Sequence, residues 1–244
     1  MSSPAPPLLE LVDVHTHIGH YHILHGVNLT VPEFRLTVLL GRNGAGKTTT
    51  LRTIMGLWRA SAGTIAFAGM PIAARATPDI ARLGIAYVPE AMGSFAGLTV
   101  RENMLLATGP DGFDAGRLER VFLLFPILRD KWHQHAGALS GGQKQMLAIS
   151  RAIVEERRLL IVDEPTKGLA PAVIGHLIEA FQELKRQRTT ILLVEQNFHM
   201  ARSLGDAVAV MDDGVVVHTG RMEELAADEA LQTHLLGLAL AAHQ

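Results

Sequence analysis

Arg35-Leu-Thr-Val-Leu-Leu40-Gly41-Arg42-Asn43-Gly44-Ala45-Gly46-Lys47-Thr48-Thr49 is the stretch that decides the fold. Residues 35–40 are a short apolar run that reads as a strand. Residues 41–46 form a glycine-rich turn, and the apolar spacing over 47–58 predicts a helix. Strand, glycine turn and helix in this order are the setting of a phosphate-binding loop. Glycines let the backbone turn its N–H groups inward around an anion, and the helix offers its positive N-terminal end to the same charge. At this spacing Lys47 reaches the β- and γ-phosphates of a nucleoside triphosphate, and the Thr48 hydroxyl reaches its Mg²⁺. The candidate contacts are Gly41, Arg42, Asn43, Gly44, Ala45, Gly46, Lys47, Thr48 and Thr49. The competing reading, a glycine turn that happens to precede a helix, does not account for the Lys-Thr pair.

Two further motifs lie downstream. Leu159-Leu-Ile-Val-Asp163-Glu164-Pro165 is a buried apolar strand that delivers two carboxylates at its C-terminal end, where ligands sit in open α/β sheets. Asp163 is placed to hold Mg²⁺ and Glu164 to orient and deprotonate an attacking water. Alone, such a strand is more often a solvated edge. After a phosphate loop at a domain-sized distance the balance reverses. Leu139-Ser140-Gly141-Gly142-Gln143 is a turn opening a helix. It offers a hydroxyl, bare N–H groups and a helix end to an anion, or else it is only a good N-cap.

Around these motifs, strands are expected at 8–14, 23–31, 63–68, 84–88, 159–162, 190–194, 207–211 and 215–219. Helical spacing occupies 100–107, 118–124, 141–155 and 173–186, with two short helices closing the chain. The alternation of strands and helices predicts an α/β fold with a mainly parallel sheet covered on both faces. No internal repeat or long linker interrupts it.

The 244 residues suffice for a large core. With 48% hydrophobic and 19% charged residues, the chain is not disordered. A formal net charge of -2 gives no support to a nucleic-acid binder. The absence of cysteine excludes disulfides and thiolate metal sites and permits a reducing compartment. Residues 1–7 lack the pattern of a signal peptide, and no apolar run reaches membrane-spanning length. Any membrane role is therefore expected to come through a partner.

Through Leu139-Ser140-Gly141-Gly142-Gln143, together with the phosphate loop and the Asp163-Glu164 strand, the sequence resembles the ABC ATPase family over nearly its whole length. The resemblance implies a P-loop NTPase fold with a mainly parallel core sheet, a small antiparallel β subdomain and a signature-bearing helical insert at about 91–156, all in one domain over 1–244. It implies ATP hydrolysis with Mg²⁺, and a sandwich dimer in which Ser140, Gly141, Gly142 and Gln143 of one subunit complete the site built on Lys47 and Glu164 of the other. Several positions depart from the general pattern. Glu90 stands where a Gln touching Mg²⁺ is usual, so that Thr48, Asp163 and Glu90 are the candidate metal ligands. Gln196 replaces the usual switch His, and an amide can hydrogen-bond a γ-phosphate but cannot gain a proton. Ala170 replaces an Asp, and Ile18, with Tyr21 nearby, stands where an aromatic side chain usually stacks on adenine.

Val88-Pro-Glu90, Gly168-Leu-Ala-Pro171 and Val194-Glu-Gln-Asn197 look like one branch of ABC importers, which takes up branched-chain amino acids, amides or urea. That likeness implies a permease, a second and different ATPase subunit, an extracytoplasmic solute-binding protein, and a peripheral place on the cytoplasmic face of the inner membrane. A homodimer is the alternative pairing. A soluble ABC ATPase outside transport is the rival class. Such proteins usually fuse two ATPase halves or carry long insertions, and this chain has neither.

His15, His17, His20, His22 and His25 crowd one segment. Alternate positions on a strand share a face, as a metal site would require. With no cysteine and only Asp13 as a nearby carboxylate, a turn and strand face rich in polar His is favoured. Trp132, His133 and His135 are expected to pack the helical insert, and Trp58 is expected in the core.

Overall fold

A computed structural model of the chain describes residues 7–237. Its elements run in the order β1 Leu9–Ile18, β2 Tyr21–Val31, β3 Leu36–Leu40, α1 Lys47–Ile54, β4 Ala60–Phe67, β5 Met70–Pro71, α2 Thr77–Arg82, β6 Ile85–Val88, α3 Val100–Leu105, α4 Ala115–Leu124 and α5 Pro126–Asp130. They continue with α6 Gly141–Ile153, β7 Leu159–Asp163, α7 Pro171–Arg186, β8 Thr190–Val194, α8 Phe198–Leu204, β9 Ala207–Asp212, β10 Val215–Arg221, α9 Met222–Ala227 and α10 Glu229–Leu236. All but residue 7 of the leading segment 1–7 lies outside the described residues. Among the described residues no helix is long and apolar enough to cross a membrane.

Six strands form the core sheet in the order β10-β9-β3-β8-β7-β6. β3 runs parallel to β8 and β9, β7 runs parallel to β6 and β8, and only β10 is antiparallel. The strands β3, β7 and β8 are buried at every position, as expected where both faces are covered. Alternation divides their side chains. Leu36, Val38, Leu40, Leu160 and Val162 face the core shared with α3 to α8, whereas Leu39, Leu159 and Ile161 face the core shared with α1 and the first strands. The second sheet, β2-β1-β4-β5, is antiparallel.

The helical segment starts with a capping box, in which Thr99 accepts from the Glu102 N–H and Glu102 accepts from the Thr99 N–H. Buried Asn103 holds the preceding loop, accepting from Phe95 N–H and donating to the carbonyls of Phe95, Leu98 and Thr99.

Three expectations need correction. The histidines do not sit mainly in a turn. Both strands extend to Ile18 and Tyr21 around the two-residue turn Gly19-His20, and His15 and His17 pair across the strands with His25 and His22. The phosphate-loop helix stops at Ile54 rather than Trp58, because Gly56 takes φ 69 in the left-handed region. Trp58 is accordingly half-buried beside a groove rather than in the core. Trp132 does pack the helical segment, edge-on to Phe122 at 5.1 Å and tilted against Phe113 at 5.5 Å.

Candidate active site

Because β3, β6, β7 and β8 are parallel, the chain leaves them at one edge of the sheet. Asp163 is level with Val194, and Leu39 pairs with Val194 from the other side. The phosphate loop, the Asp163-Glu164 pair and Gln196 are thereby brought together. Gly41 has φ 152, and a Cβ placed there would lie 2.3 Å from the Met211 carbonyl oxygen of β9. Gly44 and Gly46 have φ 85 and 102. Gly41→Ala is expected to displace the loop from β9 and to weaken ATP binding by about ten-fold or more. Equilibrium titration of the variant with ATP checks this.

Lys47 is buried and its Nζ donates to the carbonyls of Gly41 (2.8 Å) and Arg42 (3.0 Å) while lying 3.3 Å from Glu164 Oε1. The Thr48 hydroxyl donates to Asp163 Oδ1 at 3.2 Å. Asp163 is fully buried, and burial raises its pKa above the usual carboxylate range. Tyr87 of β6 donates to Asp163 Oδ2 at 3.3 Å, and its phenol is pushed up to about 12 by burial and by the Asp163 charge. Glu164 sits at φ 45, uncommon for a residue with a side chain, and its N–H continues the sheet by donating to the Val194 carbonyl at 2.9 Å. Gln196 Nε2 donates to both Glu164 Oε1 and Asn43 Oδ1 at 2.6 Å. Glu90 leaves β6 toward the same edge, and its partner is Lys167 at 2.5 Å.

The Thr48 and Asp163 oxygens fit Mg²⁺ in kind and spacing. Adjacent ligands around an octahedral Mg²⁺ stand about 3.0 Å apart for metal–oxygen distances near 2.1 Å. Among the described residues no group of three or more His, Cys, Asp or Glu side chains could hold a metal ion, so the pair suits a metal shared with phosphate and water. The same finding covers the histidine segment. Its imidazoles stack instead, His17 on His22 at 4.1 Å and His15 on His22 at 5.2 Å. Ile18 and Tyr21 flank the hairpin turn, and Tyr21 is exposed.

Ser140 to Gln143 lie apart from these groups. Ser140, Gly142 and Gln143 line a cavity of about 820 Å³ between α4, α6 and α7, which no phosphate-loop residue lines. Ser140 caps α6 in a capping box with Gln143. Gly142 has a packing reason as well, since a Cβ would meet Val173 Cγ1 of α7 at 2.6 Å. Ala170 stands at the N-cap of α7 with no side-chain cap bond, and Pro171 begins the helix.

Sequence reasoning missed three residues of this site: Tyr87, Lys167 and Glu195. Buried Glu195 accepts from the N–H groups of Thr166, Gln196 and Asn197 and from the Thr166 hydroxyl. The signal for Glu195 was present, because it follows the apolar run 191–194 just as the Asp163-Glu164 pair follows 159–162.

The chain belongs to the ABC transporter family, whose pattern matches residues 24–167. It is 38% identical over 213 residues to the high-affinity branched-chain amino acid transport ATP-binding protein BraG of Pseudomonas aeruginosa, covering 86% of this chain and 91% of that one. The probable branched-chain amino acid transport ATP-binding protein LivF of Archaeoglobus fulgidus is 33% identical, with 95% and 99% covered. The Nod factor export ATP-binding protein I of Burkholderia lata is 34% identical, with 93% and 74% covered. The fold matches the ADP conformation of MJ1267, an ATP-binding cassette of an ABC transporter, with a TM-score of 0.80 at 24% identity over 93% of this chain and 97% of that one. The chain is thus a nucleotide-binding ATPase subunit of the ABC transporter type, a class that works with membrane permease components.

Proposed function

We propose that this subunit powers import of branched-chain amino acids or related small polar solutes, as one half of an ATPase pair on the cytoplasmic face of the inner membrane. The observation that carries its catalytic role is the grip on Glu164, whose Oε1 faces both the Lys47 ammonium at 3.3 Å and the Gln196 amide at 2.6 Å. A carboxylate so oriented takes the proton of an attacking water. Lys47 and the loop N–H groups hold the phosphates, and Gln196 joins Glu164 to Asn43 of that loop. Thr48 and Asp163 would hold Mg²⁺, which when bound offsets charge on the phosphate oxygens. Because Ser140 to Gln143 lie apart from Lys47 and Glu164, we read them as completing the site of a facing second ATPase subunit. The amino-acid cargo is supported by the likeness to the two branched-chain amino acid relatives, which also favours a heterodimer and an extracytoplasmic solute-binding protein in the system. We read the chain as a single ABC ATPase domain.

A groove of about 790 Å³ between α1 and the helical segment suits the permease. It is lined by Arg52, Trp58, Met92, Leu106, Arg151 and Arg157 among others, with no Asp or Glu. Trp58 Nε1, Arg151 Nε and Arg157 Nε are buried there without a hydrogen-bond partner in the described residues. Apolar walls lined by three arginines and no carboxylate fit a cytoplasmic permease segment that carries acidic groups. Arg151→Glu is expected to lose co-purification with the permease from detergent-solubilised native membranes while ATP binding persists.

The same purification, with partners identified by mass spectrometry, tests the transport reading. Permease chains with a second ATPase support it, and labelled-leucine uptake by the reconstituted complex tests the cargo. Recovery of ribosomal or DNA-bound proteins alone would sink it.

A further inference from the structure

β6 and β7 end side by side, Val88 paired with Val162. The chain therefore leaves two neighbouring strands with three carboxylates, Glu90, Asp163 and Glu164, at the edge that also holds the phosphate loop. Such crowding repels a triphosphate unless cations offset it. Lys47 meets Glu164 at Oε1. The other Glu164 oxygen, Oε2, lies 3.7 Å from the Lys167 ammonium, which also binds Glu90 Oε1 at 2.5 Å. The backbone places Lys167 for this. Its N–H donates to the Glu164 carbonyl at 3.2 Å, and the turn folds its side chain back over the carboxylates. One ammonium thus bridges the loop after β6 and the loop after β7.

We propose that Lys167 is a positioning residue that neutralises Glu90, so that this carboxylate can stand beside a bound triphosphate. The inference rests on the ATPase reading above and names a charge balance within that site. Lys167 acts through Glu90, so its importance depends on the Glu90 charge. That dependence separates it from a lysine that merely packs or caps.

The test uses four full-length chains: wild type, Lys167→Met, Glu90→Gln and the double variant. Affinity for a fluorescent ATP analogue is measured in EDTA and with Mg²⁺, and thermal unfolding is recorded for each. Lys167→Met is expected to bind about five- to twenty-fold more weakly, with the larger deficit in EDTA and at low salt, as for partly exposed charges. In EDTA, where no metal contact of Glu90 counts, Glu90→Gln is expected to bind at least as well as wild type. The double variant should return to within about two-fold of Glu90→Gln, the non-additivity expected of a coupled pair. Wild-type affinity in Lys167→Met overturns the inference. So does a double variant as weak as Lys167→Met, with or without a lowered unfolding midpoint. A wild-type chain that binds no ATP is a different result, because it removes the ATPase reading itself.

Discussion

Glu164→Gln is expected to bind ATP as tightly as wild type or more so, and to hydrolyse it about 10²- to 10³-fold more slowly in the assembled complex. The replacement keeps shape and one carbonyl oxygen. That oxygen can still accept from Gln196 and face Lys47, which retains its bonds to the Gly41 and Arg42 carbonyls. What disappears is the proton acceptor, together with one negative charge beside the triphosphate. Binding and turnover should therefore separate. Phosphate release from the reconstituted complex and equilibrium titration with ATP measure the two quantities, and turnover within two-fold of wild type would remove Glu164 from the mechanism.

Glu195→Ala is expected to cost the fold about 3 kcal/mol, since three N–H groups and a hydroxyl lose their acceptor in a buried place. For a chain of this size that corresponds to a fall of roughly 6–12 °C in the unfolding midpoint. Calorimetry of the isolated subunit decides it, and an unchanged midpoint would show that water replaces the carboxylate. The pH dependence has a definite sign. Burial raises the Glu195 pKa, so between the unfolded and folded values the native state binds the extra proton. Stability from this group rises as pH falls through its folded pKa and declines as pH rises through it. The gap between wild type and Glu195→Ala should accordingly widen from neutral toward mildly acid pH.

The parts of this site that were legible in the sequence are those written in consecutive residues. Gly41 to Thr48 is one turn, Asp163 and Glu164 follow one strand, and Ser140 to Gln143 open one helix. The core strands were legible because burial on both faces leaves unbroken apolar runs. Legibility failed where burial was partial or elements were short. At the β1–β2 tip only Thr16 and Leu24 are buried among exposed or half-buried neighbours, so His15 to His25 carry no apolar period and both strands run longer than expected. The helices α2, α5 and α8 last one or two turns, too few for a repeat to show. Tyr87 and Lys167 join the site only because β6 lies beside β7, and strand order was not written in either motif.

The position of β3 bears on how the chain comes together during synthesis. Both of its hydrogen-bonding neighbours, β8 and β9, lie far downstream, beyond the helical segment and β7. The β1–β2 hairpin closes through near neighbours, and β4 can join it soon after. A nascent chain that ends before Thr190 therefore carries a strand of Leu36 to Leu40 with two open edges and an unfinished phosphate loop. Closing that gap must await almost the full chain, at an entropic cost set by the long separation. The N-terminal half is thus unsuited to expression as an independent fragment, and it is the stage of biogenesis most exposed to aggregation.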